Sequence, residues 1–226
     1  MDDIVRQALA KWPNVPACYG WLLLDRRGNW RMRDDAVQRA HGLGSPVRHA
    51  ALIAFIVRNY DVDELGQWYF QNGPQRVYLE LEYTPFVVRL ARVADDTLEL
   101  TDQTGARWEP DACWSDDRGA VIFSGHVEGS KPQRVAVLHD HDLDLFADCL
   151  DGGDVDGEVA ERGDGHDSEA REHEPPSVGD SVGSASRFLW RRNRALTMGA
   201  LAVDDIAARF GFVKSPADVT QRTEGQ

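Results

Sequence analysis

The hydrophobic pattern of this chain is mostly that of strands. From Arg76 to Glu82, Val77, Leu79 and Leu81 take one side while Arg76, Tyr78, Glu80 and Glu82 take the other, the period of a half-buried strand. Shorter stretches of the same kind are expected at 19–24, 29–33, 68–70, 86–92, 98–101, 106–109, 112–115, 120–124 and 133–138. Within 29–33, Trp30 and Met32 point one way and Arg31 and Arg33 the other. Helical spacing occurs in three places. Ile4, Val5, Ala8, Leu9 and Trp12 make an amphipathic helix ended by Pro13 and Pro16. Ser45-Pro46 reads as an N-cap and first-turn proline for a helix running to about Asn59, and its run from Ala50 to Val57 is apolar on every side, as in a helix buried around most of its girth. Leu143, Phe146, Ala147 and Leu150 form the face of a third helix capped by Asp140 or Asp142.

The punctuation between strands repeats. Asp-x-x-Gly occurs at Asp25–Gly28, Asp63–Gly66, Asp102–Gly105 and Asp116–Gly119, and a tryptophan follows three of them, as Trp30, Trp68 and Trp108. Asp hydrogen-bonds to the amides that follow it and Gly accepts the positive φ that closes a hairpin. Asn72-Gly73-Pro74 marks a further turn. The fold class is therefore α+β: two small antiparallel-sheet units with packed helices. The expected boundaries are an N-terminal unit at 1–92 and a mostly-β unit at 93–150 closed by a helix.

Charge then divides the rest. Residues 151–180 carry eleven acids against two bases, net −9 of the chain's −13, with six glycines and no Leu, Ile, Phe, Tyr or Trp. Such a stretch buries too little apolar surface to offset its chain entropy, so 151–185 reads as a disordered acidic linker. Order is expected to return over 186–214, because Phe188, Leu189, Trp190, Phe210 and Phe212 need burial; this segment is locally basic and reads as docking on the second unit. Ile206–Val213 fits either a last strand or a short helix, and 215–226 reads as a disordered tail.

Three widely spaced cysteines, Cys18, Cys113 and Cys149, form no disulfide framework and read as reduced thiols. The N-terminus lacks the features of a signal peptide, and the longest apolar run is too short to span a bilayer, so the expectation is a soluble, cytoplasmic protein. Its acidity argues against nucleic acid as a partner.

The stretch Gly66-Gln67-Trp68-Tyr69-Phe70, then Arg76 to Glu82, then Tyr83-Thr84-Pro85-Phe86 resembles the bacterial domain-of-unknown-function family 1285, which shows Gly-x-Tyr-aromatic-Leu, an alternating strand and Glu-Asp-Ala-Pro-Phe. Gly28-Asn29-Trp30 and the helix after Ser45 look like that family's earlier hairpin and helix, and the likeness covers roughly residues 19–150. The chain more closely resembles a smaller proteobacterial family of unknown function that has the terminal Arg-Phe-Gly-Phe-Val segment. The resemblance implies a duplicated α+β core, a second half superficially similar to pleckstrin-homology barrels, and a nucleotide-like ligand at the interface between halves in a signalling role. Three departures stand out: Asn72-Gly73 for Thr-Pro, Gln75 for Glu and Tyr83 for Asp.

No phosphate-loop or dinucleotide motif is present. His139-Asp140-His141 with Asp142, Asp144 and Cys149 offers ligand types, but residues two apart on a helix diverge and suit no single metal site, so no metal or cofactor is expected. No cysteine or histidine carries a catalytic signature, and a hydrolase is the third choice. The preferred reading is a non-enzymatic module for a small anionic ligand, with Arg31, Arg33, Arg48 and Arg76 neutralising phosphate and Tyr78 stacking or hydrogen-bonding. The alternative is a scaffold for a protein partner, working through the linker and the basic Arg187–Arg194 segment.

Overall fold

The structure, a computed structural model, describes residues 1–94, 97–130, 132–151 and 186–224; the expected acidic linker lies outside them except for Asp151. After helix α1 (Asp3–Lys11), the first sheet takes β1 (Cys18–Leu24), β2 (Trp30–Met32), β3 (Ser45–Pro46), β4 (Tyr60–Val62), β5 (Trp68–Asn72) and β6 (Gln75–Leu81) in the order β3-β2-β1-β6-β5-β4. Helix α2 (Asp35–Arg39) follows β2 and α3 (Ala50–Arg58) precedes β4. The second sheet holds β7 (Phe86–Ala94), β8 (Thr97–Asp102), β9 (Arg107–Asp116), β10 (Val121–Val127) and β11 (Arg134–Leu138), and β9 pairs back to β10, so these five close a barrel. After α4 (Leu143–Ala147) and β12 (Leu150–Asp151), strand β13 (Arg187–Arg191) and strand β14 (Arg194–Leu201) join the same sheet; α5 (Ile206–Phe210) and α6 (Pro216–Glu224) end the chain.

All four Asp-x-x-Gly segments are hairpin turns built alike. Each carboxylate accepts from the amides two and four residues on: Asp25 from Arg27 and Asn29, Asp63 from Leu65 and Gln67, Asp102 from Thr104 and Ala106, Asp116 from Arg118 and Ala120, at 2.6–3.1 Å. The four glycines have φ between 77° and 84°, where a side chain costs about 1–2 kcal/mol. At Gly66 the backbone approach also matters, since a Cβ there would come within 2.1 Å of the Gly211 carbonyl oxygen.

Alternation along the barrel strands sorts side chains into two cores. Phe86, Val88, Phe123, Ala136 and Leu138 fill the barrel with Trp108, Phe146, Phe188 and Trp190. Val87, Ile122, Val135 and Val137, on the opposite faces of the same strands, pack against Leu22, Leu24, Leu79 and Leu81 of the first sheet. One barrel wall is thus buried on both faces, which is why β10 and β11 read as near-continuous apolar runs.

Several expectations need correcting. The sheets are mixed rather than antiparallel, because β1–β6, β7–β11 and β9–β14 pair in parallel. Strand β7, placed in the first unit by the sequence, belongs to the second sheet. Ser45-Pro46 is not a helix start but an edge strand paired with β2, where proline's missing N–H costs nothing. The cap of α3 is His49, whose Nδ1 accepts from Leu52 N at 3.3 Å. Helix α3 is not buried around its girth: Ile56 alone is fully buried, and Leu52 is 38% exposed. The segment 186–214 does not dock only on the second unit. Its two strands extend the barrel's sheet, β14 beside β9 and β13 touching β8, but Val203, Ile206 and Phe212 enter the core between the sheets, and Leu81 N donates to Lys214 O at 2.8 Å. Ile206–Phe210 is helical, and residues 216–224 of the expected disordered tail form α6 against β6 and β1.

Candidate functional site

The two sheets are joined by Glu82-Tyr83-Thr84-Pro85, and this connector is held firmly. Thr84 Oγ1 accepts from Val137 N at 3.0 Å and donates to Phe86 O at 2.7 Å; Pro85 O accepts from the Tyr60 hydroxyl and the Gln103 amide. Tyr83 OH donates to Asp116 at 2.5 Å, tying the connector to the turn between β9 and β10. Burial, followed by that carboxylate, pushes the Tyr83 phenol far up. Tyr83 is one of the departures from the resembled family, and here it is a bolt between units.

Beside the bolt, the Asp25 turn of the first sheet faces the Asp116 turn of the barrel across a cavity of about 410 Å³. Arg26, Arg27, Arg31 and Arg118 line it, together with Glu82 and Asp140. Arg27 bridges the units with a fork of bonds at 3.0 and 2.5 Å to Asp140, which holds that carboxyl below the usual range. Arg26 lies 4.7 Å over the Tyr83 ring, and its amide donates to Glu82 at 2.8 Å. Arg31 donates to Asp25 at 2.6 Å and to Gly44 O at 2.9 Å. Burial would raise the Asp25 carboxyl, but the bonds from Arg31, Asn29 and Arg27 outweigh it and hold it low. The exposed Arg118 guanidinium makes no hydrogen bond or ion pair among the described residues.

A second cavity of about 590 Å³ adjoins this one, sharing Leu43 and Glu82, with Arg33, Arg39, His41 and Lys214 around it. Three acids also line it: Asp35, Glu80 and Asp218. Glu80 is raised by burial, although Ser215 and the Ala217 amide bond to it at the start of α6.

The expected site residues do not converge. Arg31 lines the cleft but is engaged with Asp25. Arg33 is buried in the wall of the second cavity and donates to Gly42 O at 2.9 Å. Arg48 lies ahead of the His49 cap, exposed, not at free helix amides. Arg76 stacks 4.6 Å over Tyr69 near the Asp63 turn. Tyr78 is buried there, stacked on Tyr19 at 4.8 Å with its hydroxyl on Asp63 at 3.0 Å, so it is closed to a ligand. The sequence reading missed Arg26, Arg27 and Arg118. Their signal was available: all three sit at the x positions of Asp-x-x-Gly turns, and arginine at a hairpin tip is displayed outward.

The other candidates are structural. Asp142 takes a two-point bond from Arg89 at 2.6 and 2.9 Å plus Leu90 N, and His139 Nδ1 accepts from His141 N, so the His-Asp-His-Asp run clamps the start of α4 to β7. Among the described residues no group of three His, Cys, Asp or Glu side chains converges for a metal. Cys113 lies inside the barrel, its thiol pushed up to about 11 by burial, and burial raises Cys18 and Cys149 as well. Two arginines of the basic C-terminal segment are engaged within the fold: Arg191 and Arg194 both pair with Glu109. No helix among the described residues is long and apolar enough to cross a membrane.

The fold and cleft define an α+β protein in which a closed barrel and an open sheet meet over an arginine-lined cavity. A family model described as "Protein of unknown function (DUF2946)" matches residues 1–217, and the chain belongs to that family. No curated protein matches. Among solved structures, a DUF1285 family protein from Silicibacter pomeroyi DSS-3 is 16% identical with a TM-score of 0.41, covering 68% of this chain and 87% of its own. A DUF1285 family protein from Shewanella baltica OS155 is 12% identical with a TM-score of 0.38, covering 57% of this chain and 91% of its own.

Proposed function

We propose that this protein is a non-enzymatic binding module for a small phosphate-bearing ligand, nucleotide-like in size, held in the cleft between the sheet and the barrel in a signalling role. The observation that carries the reading is the meeting of four arginines at one cavity in a chain of net charge −13, with Arg118 left without a carboxylate. A cavity of about 410 Å³ falls within the roughly 300–1,000 Å³ range of ligand pockets. Arg118 and Arg26 are the groups that take the phosphate, because Arg27 and Arg31 are already paired with Asp140 and Asp25.

Thermal-shift measurements with nucleoside mono- and diphosphates test this. At least one compound raises the melting temperature of the wild type. Arg118→Ala weakens its binding by about 1.5–3 kcal/mol, roughly ten- to a hundredfold in Kd. Arg76→Ala, at the other end of the sheet, leaves it unchanged. A shift that survives Arg118→Ala but disappears in Arg76→Ala refutes the placement, and a panel with no active compound refutes the reading.

A further inference from the structure

The two cavities are neighbours, and their charges pair across the shared wall. Leu43 and Glu82 line both. Each cavity also holds one exposed arginine whose side chain makes no hydrogen bond or ion pair among the described residues, Arg118 in the first and Arg39 in the second. A second cation stands on each side. Arg26 of the first cavity lies 4.7 Å from the Tyr83 ring centre, and the Lys214 ammonium of the second lies 5.4 Å from the same centre. One buried ring is therefore approached by a cation of each cavity.

The shared wall is of mixed character. Leu43 is 41% exposed, an apolar side chain presented to solvent between two polar hollows. Glu82 is oriented by Arg26 N at 2.8 Å. The second cavity adds the carboxylates of Asp35, Glu80 and Asp218, which accept from hydroxyl or N–H donors.

Resting on the reading of the first cavity as an anion site, we infer that the two cavities together hold one extended ligand with two anionic groups, a bisphosphate or dinucleotide rather than a mononucleotide. One anionic group binds Arg118 and Arg26, and the other binds Arg39 and Lys214. The middle crosses Leu43 and turns hydroxyl or N–H donors toward the carboxylates beyond. Once one end is bound, the second contact is intramolecular, and its gain depends steeply on whether the connecting length matches the span.

Calorimetry with a chemical ruler tests this: a series of α,ω-alkanediol bisphosphates of increasing chain length, compared with an alkyl monophosphate. Both classes bind the wild type, and at one chain length the bisphosphate binds at least about tenfold tighter, beyond the statistical advantage of having two ends. Arg39→Ala/Lys214→Ala removes that gain and leaves monophosphate affinity unchanged. Equal affinity at every chain length, or a gain that survives the double substitution, overturns the two-site ligand while the single-phosphate site stands. A monophosphate that does not bind the wild type overturns the underlying reading as well.

Discussion

Asp116 shows how much one side chain carries here. Its carboxylate accepts from Arg118 N, Ala120 N and Tyr83 OH, so it closes a hairpin, bolts the two units together and sets the loop that presents Arg118. Burial pushes its carboxyl up, but those hydrogen bonds hold it below the usual range, and the same balance applies to Asp25 and Asp142. A folded-state pKa below the unfolded value of about 3.9 means that the unfolded chain binds more protons as the pH drops. The stability these residues contribute is therefore complete above about pH 5 and is lost as pH falls through their folded values. Glu80 has the opposite sign: raised by burial, it stabilises the fold at low pH and loses that contribution as pH rises through its raised value. Urea midpoints measured across the acid range should fall steeply below about pH 4 in the wild type and less steeply in Asp116→Asn, whose side chain does not ionise. Equal slopes would show that the hydrogen-bonded carboxylate is not what couples folding to protons. At this scale the sequence was readable where interactions are local. Each Asp-x-x-Gly turn was legible because donor, acceptor and glycine lie within five residues. The convergence of Arg26 and Arg118 was not, because it depends on two turns, far apart in the chain, being packed face to face.

Helix α3 illustrates the same limit for an element. Its apolar run suggested burial on every side, yet three alanines, Ala50, Ala51 and Ala54, are exposed. Alanine favours a helix through its backbone, whether or not it is covered. Ser45-Pro46 carried a helix-start pattern that tertiary pairing overrode, since Val47 N donates to Trp30 O and the chain extends as an edge strand before His49 caps the helix. Parallel pairing of β1 with β6 and of β7 with β11 left no local trace, because such neighbours are brought together only by a long crossover. The consequence for α3 is measurable. Ile56→Ala should cost about 2–5 kcal/mol in urea unfolding, and Leu52→Ala no more than about 0.5 kcal/mol. Similar losses from the two substitutions would mean that the helix is covered on both faces, as its composition alone suggested.

For the whole molecule, residues 186–212 are a structural part and not an appendage. Phe188 and Trp190 fill the barrel, and Val203, Ile206 and Phe212 fill the space between barrel and sheet. Strands β12 and β13 pair antiparallel through Leu150–Phe188 and Asp151–Arg187, so the described residues that flank 152–185 lie side by side. Replacing 152–186 by a two-residue Asn-Gly turn between the paired Asp151 and Arg187 should leave the melting temperature unchanged or slightly higher, since shortening a loop lowers its closure cost. Ending the chain at residue 151 should abolish cooperative unfolding. A stable truncated chain would contradict the packing role given to Phe188, Trp190, Val203, Ile206 and Phe212. The proposed anion site lies at the junction between barrel and sheet. Amide NMR of the isotope-labelled full chain during titration with a nucleoside monophosphate tests it most directly. The account predicts that the largest shifts fall in the two facing turns, at Arg26 to Gly28 and Arg118 to Ala120. Shifts confined to the neighbourhoods of Arg48 and Arg76, or none at saturating ligand, would contradict it.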